Sequence, residues 1–440
     1  MSTPRMLVVP GGTSIGAVAL ANASIHKIVE LWEERQAEPD HPAPHTVTVL
    51  RDPARARVDT LRNSQATPAQ AFPVEDYPGL QDGLADPGFF DGIDLVVPTS
   101  GSSAGEPRLV GLSIDALIAA AKATEQALAG PGRWILALPT HHIAGAMVLL
   151  RAAVAGTNPQ IVDVSAGFDP MNLLPAIAGA TQDPEVPGYV SLVPTQLAAC
   201  LDAGDAVVEA LGRLSAVLVG GSAMSQELLE RARARGVNVV ATYGMTETCG
   251  GCVYDGYALP GVTVRAVDRD GRSRIAVSGP VVMTRYLDGE SPLFDEDGHR
   301  WLLTGDLGTI RANGQLSVEG RADDVLTSGG LSISPEQVRA AVLTCQDVAD
   351  ACIIATPDDK WGDLVTAVVV PGRMPSSAQE MADLGERVRE AAASQIGRFQ
   401  APRRVVAVDA LPLRGIGKVD RQAVAELVRA ACGGDRDWWR

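Results

Sequence analysis

Aromatic side chains are scarce in this chain, 4% of 440 residues, while hydrophobic residues overall reach 46%. The core must therefore be built from Ala, Val, Leu and Ile, as in an ordinary α/β protein. Cysteine is rare as well, at six residues, too few for a disulfide framework and in keeping with a reducing compartment. Positive charge is in deficit, with a formal net charge of -16. Nucleic-acid binding draws on basic patches that release counterions, so no nucleic-acid partner is expected, and an anionic ligand needs a local positive pocket. No stretch approaches about eighteen unbroken apolar residues, and MSTPRMLVVPGG lacks the architecture of a signal peptide. A cytoplasmic location without membrane insertion is the expectation. The pattern GxxxxGK[ST] is missing too, which excludes an ordinary P-loop nucleotide site.

Strand-like apolar runs alternate with amphipathic stretches over most of the first three hundred residues, the pattern of stacked βα units around a largely parallel sheet. Ser113 can cap a helix reaching about Leu128, and WILAL, YVSLV, AVLVGG and VNVVATYG read as strands. Past residue 260 the texture becomes short strands and tight turns, with Asp-Gly or Asn-Gly pairs in VDRDGRSRIAV, FDEDGHRWLLTGD and TIRANGQLSVEG. GRADD then opens a segment of helix, strand, strand, helix, strand and helix. The expected fold is α/β: a large N-terminal domain over 1–320 with stacked βα subdomains and a β-rich subdomain, then a small α+β domain over 321–440 on a hinge.

After the apolar run IDLVV comes TSGSSAGEPR, Thr99 to Arg108. Gly, Ser and Pro punctuate many surface turns, so a turn is one reading. The other is an anion cradle, in which small residues let backbone N–H groups converge, hydroxyls add donors and Arg108 adds fixed charge. Four further polar motifs stand at expected strand ends or loops: YGMTET at Tyr243, LTGDLG at Leu303, GRADDVLTSGGLSISPEQV at Gly320 and PLRGIGKVDR at Pro412. Taken singly, Asp306 could serve a turn, Glu247 a helix cap, and Lys418 could be a solvated lysine. Cys249 and Cys252 form a CxxC without a second pair or a nearby histidine, which favours a structural or incidental role over metal or redox chemistry.

In this order and spacing the five motifs resemble the adenylate-forming acyl-CoA synthetase superfamily, from about residue 93 to 421. The resemblance implies ATP, Mg²⁺ and CoA as cofactor and cosubstrates. Activating a carboxylate with ATP brings two anions together and builds charge on the α-phosphorus. Thr99, Ser100, Gly101, Ser102, Ser103, Gly105 and Arg108 would hold the leaving phosphates, beside Tyr243, Gly244 and Met245. Thr246 would donate to the α-phosphate and Glu247 would ligate Mg²⁺. Asp306 and Arg321 would hold the ribose, and Lys418 would bridge the carboxylate and phosphate oxygens. Asp323 corresponds to the hinge, and Ser328, Gly329 and Gly330 to the loop lining the thiol tunnel. Two departures stand out: Arg108 replaces the usual lysine, and Ala104 makes the loop one residue longer.

The acid pocket of this superfamily falls on Leu138 to Gly156, Val217 to Met224 and Thr246 to Gly256, where LPTHHIAG and YGMTETCGGCVYDG look most like the branch that activates o-succinylbenzoate. Gly220, Gly221, Ser222, Gly250 and Gly251 would leave room for a flat ring. His142 or Arg151 could supply positive potential, although a histidine in such a turn is more often packed structure. The expected partners are a small carboxylic acid, ATP and CoA, with no particular oligomeric state specified. A ligase for another aryl or short acyl acid, a carrier-loading enzyme and a non-catalytic nucleotide-binding protein are the alternatives.

Overall fold

The computed structural model describes residues 4–38, 45–53, 66–86, 88–99, 107–269, 271–328, 331–358, 362–414, 418–431 and 438–439. Its packing separates two compact units. One comprises Met1–Arg265, Ala276–Leu303 and Gly314–Leu316; the other comprises Ala266–Ile275, Thr304–Asn313 and Ser317–Arg440.

The first unit is built on two sheets. In one, strands Arg5–Pro10, Thr46–Arg51 and Leu95–Pro98 run parallel, and Leu109–Leu112 and Arg285–Tyr286 complete the order antiparallel. Met6, Val47, Val49, Ile93 and Val96 bury one face against Phe72, Phe89 and Phe90, where much of the small aromatic content is concentrated. The second sheet has parallel strands Gln160–Ile161, Arg133–Leu136, Gly188–Leu192, Ala216–Val219 and Val239–Met245, then the antiparallel Gly250–Tyr254 and Tyr257–Ala258. Its strands read as unbroken aliphatic runs because both faces are covered. Helices Leu173–Ala180, Pro194–Asp202 and Asp205–Gly212 cover one face through Ile177, Leu197, Val207 and Leu211. Helices Ile15–Ala37, Ile114–Ala127 and Ile143–Val154 pack on one another and touch strands of both sheets, forming the layer between them. Ser113 accepts from the Ala116 N–H at 3.2 Å, which makes it the expected N-cap.

Asp297-Gly298 and Asn313-Gly314 mark turns of a third sheet, ordered Thr263–Arg269, Arg272–Ser278, His299–Ile310, Leu293–Glu296, with Leu316–Arg321 also on His299–Ile310, and Asp270 lies outside the described residues. Asp297 and Gly298 both have positive φ, 52° and 74°, between the paired Glu296 and His299. That is a two-residue hairpin whose twist matches its strands.

In the second unit, strand Val348–Asp358 pairs antiparallel with Gly362–Pro371, which runs parallel to Arg404–Ala407. Side chains alternate between two cores. Ile353, Val365, Ala367 and Val369 meet helices Pro335–Val342 and Ala378–Ile396, whereas Cys352, Ile354, Val368 and Val406 meet Val424 and Val428 of helix Arg421–Ala431. No helix among the described residues is long and apolar enough to cross a membrane.

Candidate active site

The TSGSSAGEPR segment joins antiparallel neighbours, Leu95–Pro98 and Leu109–Leu112. Its neck is closed by paired bonds: the Thr99 N–H donates to the Arg108 carbonyl at 2.7 Å, and the Arg108 N–H donates to Thr99 Oγ1 at 2.9 Å. Ser100, Gly101, Ser102, Ser103, Ala104 and Gly105 lie outside the described residues. The Arg108 side chain runs to Asp288 at 3.4 Å, donates to the Asp288 and Glu290 carbonyls, and covers the Tyr286 ring at 3.6 Å from its centroid. Sequence reasoning gave Arg108 only a phosphate to face and left Tyr286 and Asp288 unassigned. The signal available was slight: one of six tyrosines, in the otherwise ordinary run MTRYLDGE.

Val239–Met245 ends in a single 3₁₀ turn, Thr246–Thr248, before the chain returns along Gly250–Tyr254. Thr248 locks this turn, accepting from the Met245 N–H at 3.0 Å and donating to the Gly250 carbonyl at 2.8 Å. The two strands approach so closely at Gly244 that a Cβ there would lie 2.0 Å from the Gly250 oxygen. Thr246 and Glu247 are thus buried on a stiff hairpin. The Glu247 carbonyl accepts from the Met283 N–H at 2.8 Å, and Glu247 Oε1 accepts from the Tyr286 hydroxyl at 2.5 Å. Among the described residues no hydrogen bond or ion pair reaches Oε2. Burial and the neighbouring Glu247 carboxylate push the Tyr286 phenol up, so it stays a proton donor.

The expected acid-side residues gather at the same ends of the parallel strands, where ligands of open α/β sheets bind. His142 is the N-cap residue of Ile143–Val154, its ring 4.4 Å from that of His141. Gly220 faces Thr242, whose Oγ1 would lie 2.2 Å from a Cβ, and Gly221 has φ 82°. Ser222 is exposed. Gly250 looks toward Met147 and Ile143, while Gly251 sits against Tyr254 and Thr242. Arg151 is buried, its guanidinium 5.0 Å from the Trp134 ring centroid. Cys249 and Cys252 are free and fully buried; burial pushes the Cys252 thiol up to about 12 and that of Cys249 higher, which keeps both protonated.

In the second unit Asp306 and Arg321 are partners at 3.5 Å, and Arg321 also reaches Asp323 at 3.5 Å. Gly305 makes room for the guanidinium, since a Cβ there would meet it at 2.9 Å. Ser328 donates to the Asp363 carbonyl at 2.6 Å. Gly329 and Gly330 lie outside the described residues. Lys418 opens a short strand whose backbone pairs with Arg414.

Among the described residues no group of three or more His, Cys, Asp and Glu is placed to hold a metal ion. A single carboxylate with one oxygen held and the other without a protein partner suits Mg²⁺ carried in on the phosphates of a nucleotide, which keeps most of its ligands as water and phosphate oxygens.

The Ser/Gly loop and the carboxylate turn thus stand in the first unit, and the Asp306–Arg321 pair joins two neighbouring strands of the second. The chain belongs to the AMP-binding enzyme family, whose profile matches residues 7–287, and residues 337–418 match the AMP-binding enzyme C-terminal domain. It is 41% identical over 347 residues to the "Probable 2-succinylbenzoate--CoA ligase" of Mycobacterium tuberculosis, covering 78% of this chain and 86% of that protein. The 2-succinylbenzoate–CoA ligase of Bacillus subtilis is 30% identical, covering 67% of this chain and 60% of that one. Among solved structures, the Bacillus subtilis o-succinylbenzoate CoA synthetase with its acyl-adenylate intermediate matches with a TM-score of 0.66 at 24% identity, covering 96% of each chain. At that identity the likeness concerns the fold.

Proposed function

We propose that this chain is an AMP-forming acid–CoA ligase that adenylates o-succinylbenzoate and transfers the acyl group to CoA, releasing AMP and pyrophosphate, in menaquinone biosynthesis. The observation carrying the choice of acid is the 41% identity with the mycobacterial protein over most of both chains. The site supports the reaction class. Thr246 and Glu247 project from a turn that cannot relax, which is how a transition-state donor and a metal ligand are kept preorganised. When bound, Mg²⁺ draws charge from the phosphates, and Glu247 is the residue that would hold it. Asp306, oriented by Arg321, accepts the ribose hydroxyls, and Lys418 bridges the reacting carboxylate and phosphate. His142, Gly220, Gly221, Ser222, Gly250 and Gly251 line the acid side, with buried Arg151 as a source of positive charge for the second carboxylate. Residues 321–440 act as the mobile domain, with Asp323 as hinge and Ser328, Gly329 and Gly330 at the CoA tunnel. The enzyme works in the cytoplasm.

Incubation with ATP, Mg²⁺, CoA and a panel of acids tests this reading. Pyrophosphate release that depends on o-succinylbenzoate, with o-succinylbenzoyl-CoA as product, is expected. Turnover of benzoate or a fatty acid in its place would reject the substrate, and absence of any acid-dependent release would reject the ligase.

A further inference from the structure

Arg108, Tyr286 and Glu247 come from separate parts of the sequence and meet within the first unit. Tyr286 lies in the short strand Arg285–Tyr286, which pairs with Leu109–Leu112 through Tyr286 and Val110. That is the strand leaving the Ser/Gly loop. The Tyr286 N–H donates to Ser291 Oγ at 2.8 Å, and Asp288 accepts from the Leu109 N–H at 3.2 Å while pairing with Arg108. The ring is therefore fixed by its own backbone below and by the guanidinium above. Its hydroxyl ends on one oxygen of Glu247. A glutamate has three side-chain torsions, and a carboxylate free to turn must be ordered each time it binds a metal.

We propose that Tyr286 is a positioning residue for the adenylation half-reaction, and that Arg108 holds Tyr286 in turn. The phenol ties down Oε1 of Glu247 so that Oε2 is presented, already oriented, to the divalent ion that accompanies ATP. Arg108 links the exit of the Ser/Gly loop to this carboxylate: it stacks on the ring and is anchored by Asp288 and two carbonyls. An arginine suits this place better than a lysine because a flat guanidinium can lie on the ring and fork to several acceptors at once. The proposal rests on the adenylation reading given above.

The test is Tyr286→Phe, which removes the hydroxyl and leaves the ring under Arg108. Hydrogen bonds to charged groups are among the stronger ones, so the Mg²⁺ concentration giving half-maximal acid-dependent pyrophosphate release should rise about tenfold or more. The binding of Mn²⁺ to the enzyme–ATP complex, followed by its electron paramagnetic resonance, should weaken to match. Thioester formation from supplied acyl-adenylate and CoA needs no such ion at Glu247 and should stay within about twofold of the parent rate. Adding Tyr286→Phe to Glu247→Gln should cost little more than Glu247→Gln alone, because the two groups act as one. Arg108→Met should reproduce part of the metal shift. Unchanged Mn²⁺ binding in Tyr286→Phe, or an equal fall in both half-reactions, would overturn the proposal. If the parent protein shows no acid-dependent pyrophosphate release, the ligase reading fails, and the Mn²⁺–ATP measurement still decides the role of Tyr286.

Discussion

At the scale of single residues, the hairpin that carries Thr246 and Glu247 is shaped by what Gly244 lacks. A methyl group there would sit 2.0 Å from the Gly250 carbonyl oxygen, and that atom belongs to backbone, which cannot swing aside. Gly244→Ala should therefore force the two strands apart, destabilising the unit by about 1–3 kcal/mol. It should also lower acid-dependent pyrophosphate release, since the turn moves with the strands. Gly16, in the first turn of helix Ile15–Ala37, makes the control: nothing lies within 4 Å of a Cβ there. Gly16→Ala should be neutral or slightly stabilising, because alanine restricts the unfolded chain and suits a helix. Urea unfolding of the two variants beside the parent checks the contrast. Equal midpoints would mean that the hairpin has slack which the packing does not reveal.

At the scale of elements, the Ser/Gly loop is a hairpin connection closed by Thr99 and Arg108. The cradle reading asks the hydroxyls and amides of the intervening residues to converge on one anion. Replacing both Ser102 and Ser103 by alanine should then weaken ATP use roughly tenfold or more, at about 1 kcal/mol for each uncharged phosphate bond. The step from supplied acyl-adenylate to thioester should be unaffected. Steady-state pyrophosphate release against ATP concentration measures this, and an unchanged ATP dependence would leave the loop only a turn. Much of this architecture was legible in the sequence because its signals are local. Aliphatic runs bounded by turns marked the parallel strands, Asp297-Gly298 marked its hairpin, and Ser113 its helix. What sequence could not show was the company kept by side chains across long separations. Arg108 and Tyr286 are far apart in the chain and meet only because Arg285–Tyr286 pairs with the strand after the loop. Nothing in MTRYLDGE signals that contact. For Cys249 and Cys252 the lack of a second pair or a nearby histidine already favoured a structural role, and both thiols are buried.

At the scale of the whole molecule, the proposed reaction makes two demands that one rigid arrangement meets poorly. Adenylation needs a cation bridging carboxylate and phosphate, whereas thioester formation needs a narrow path for the thiol arm of CoA. Lys418 and the Ser328 strand both lie in residues 321–440, a continuous stretch with its own sheet and two cores of its own. A unit that holds itself together in this way can move as a body about a short link, a common mode of domain motion. On that reading Lys418 serves the first half-reaction alone. Lys418→Ala should nearly abolish formation of the acyl-adenylate, as expected when the charge that gathers two anions is removed at the reacting atoms. Supplied acyl-adenylate should still be converted by CoA at close to the parent rate. Single-turnover measurement of each half-reaction separates the two, and only their ratio matters, so a moderate loss of folded protein does not blur the result. An equal fall in both rates would mean that Lys418 stays in place throughout, and the moving-unit reading would have to be given up.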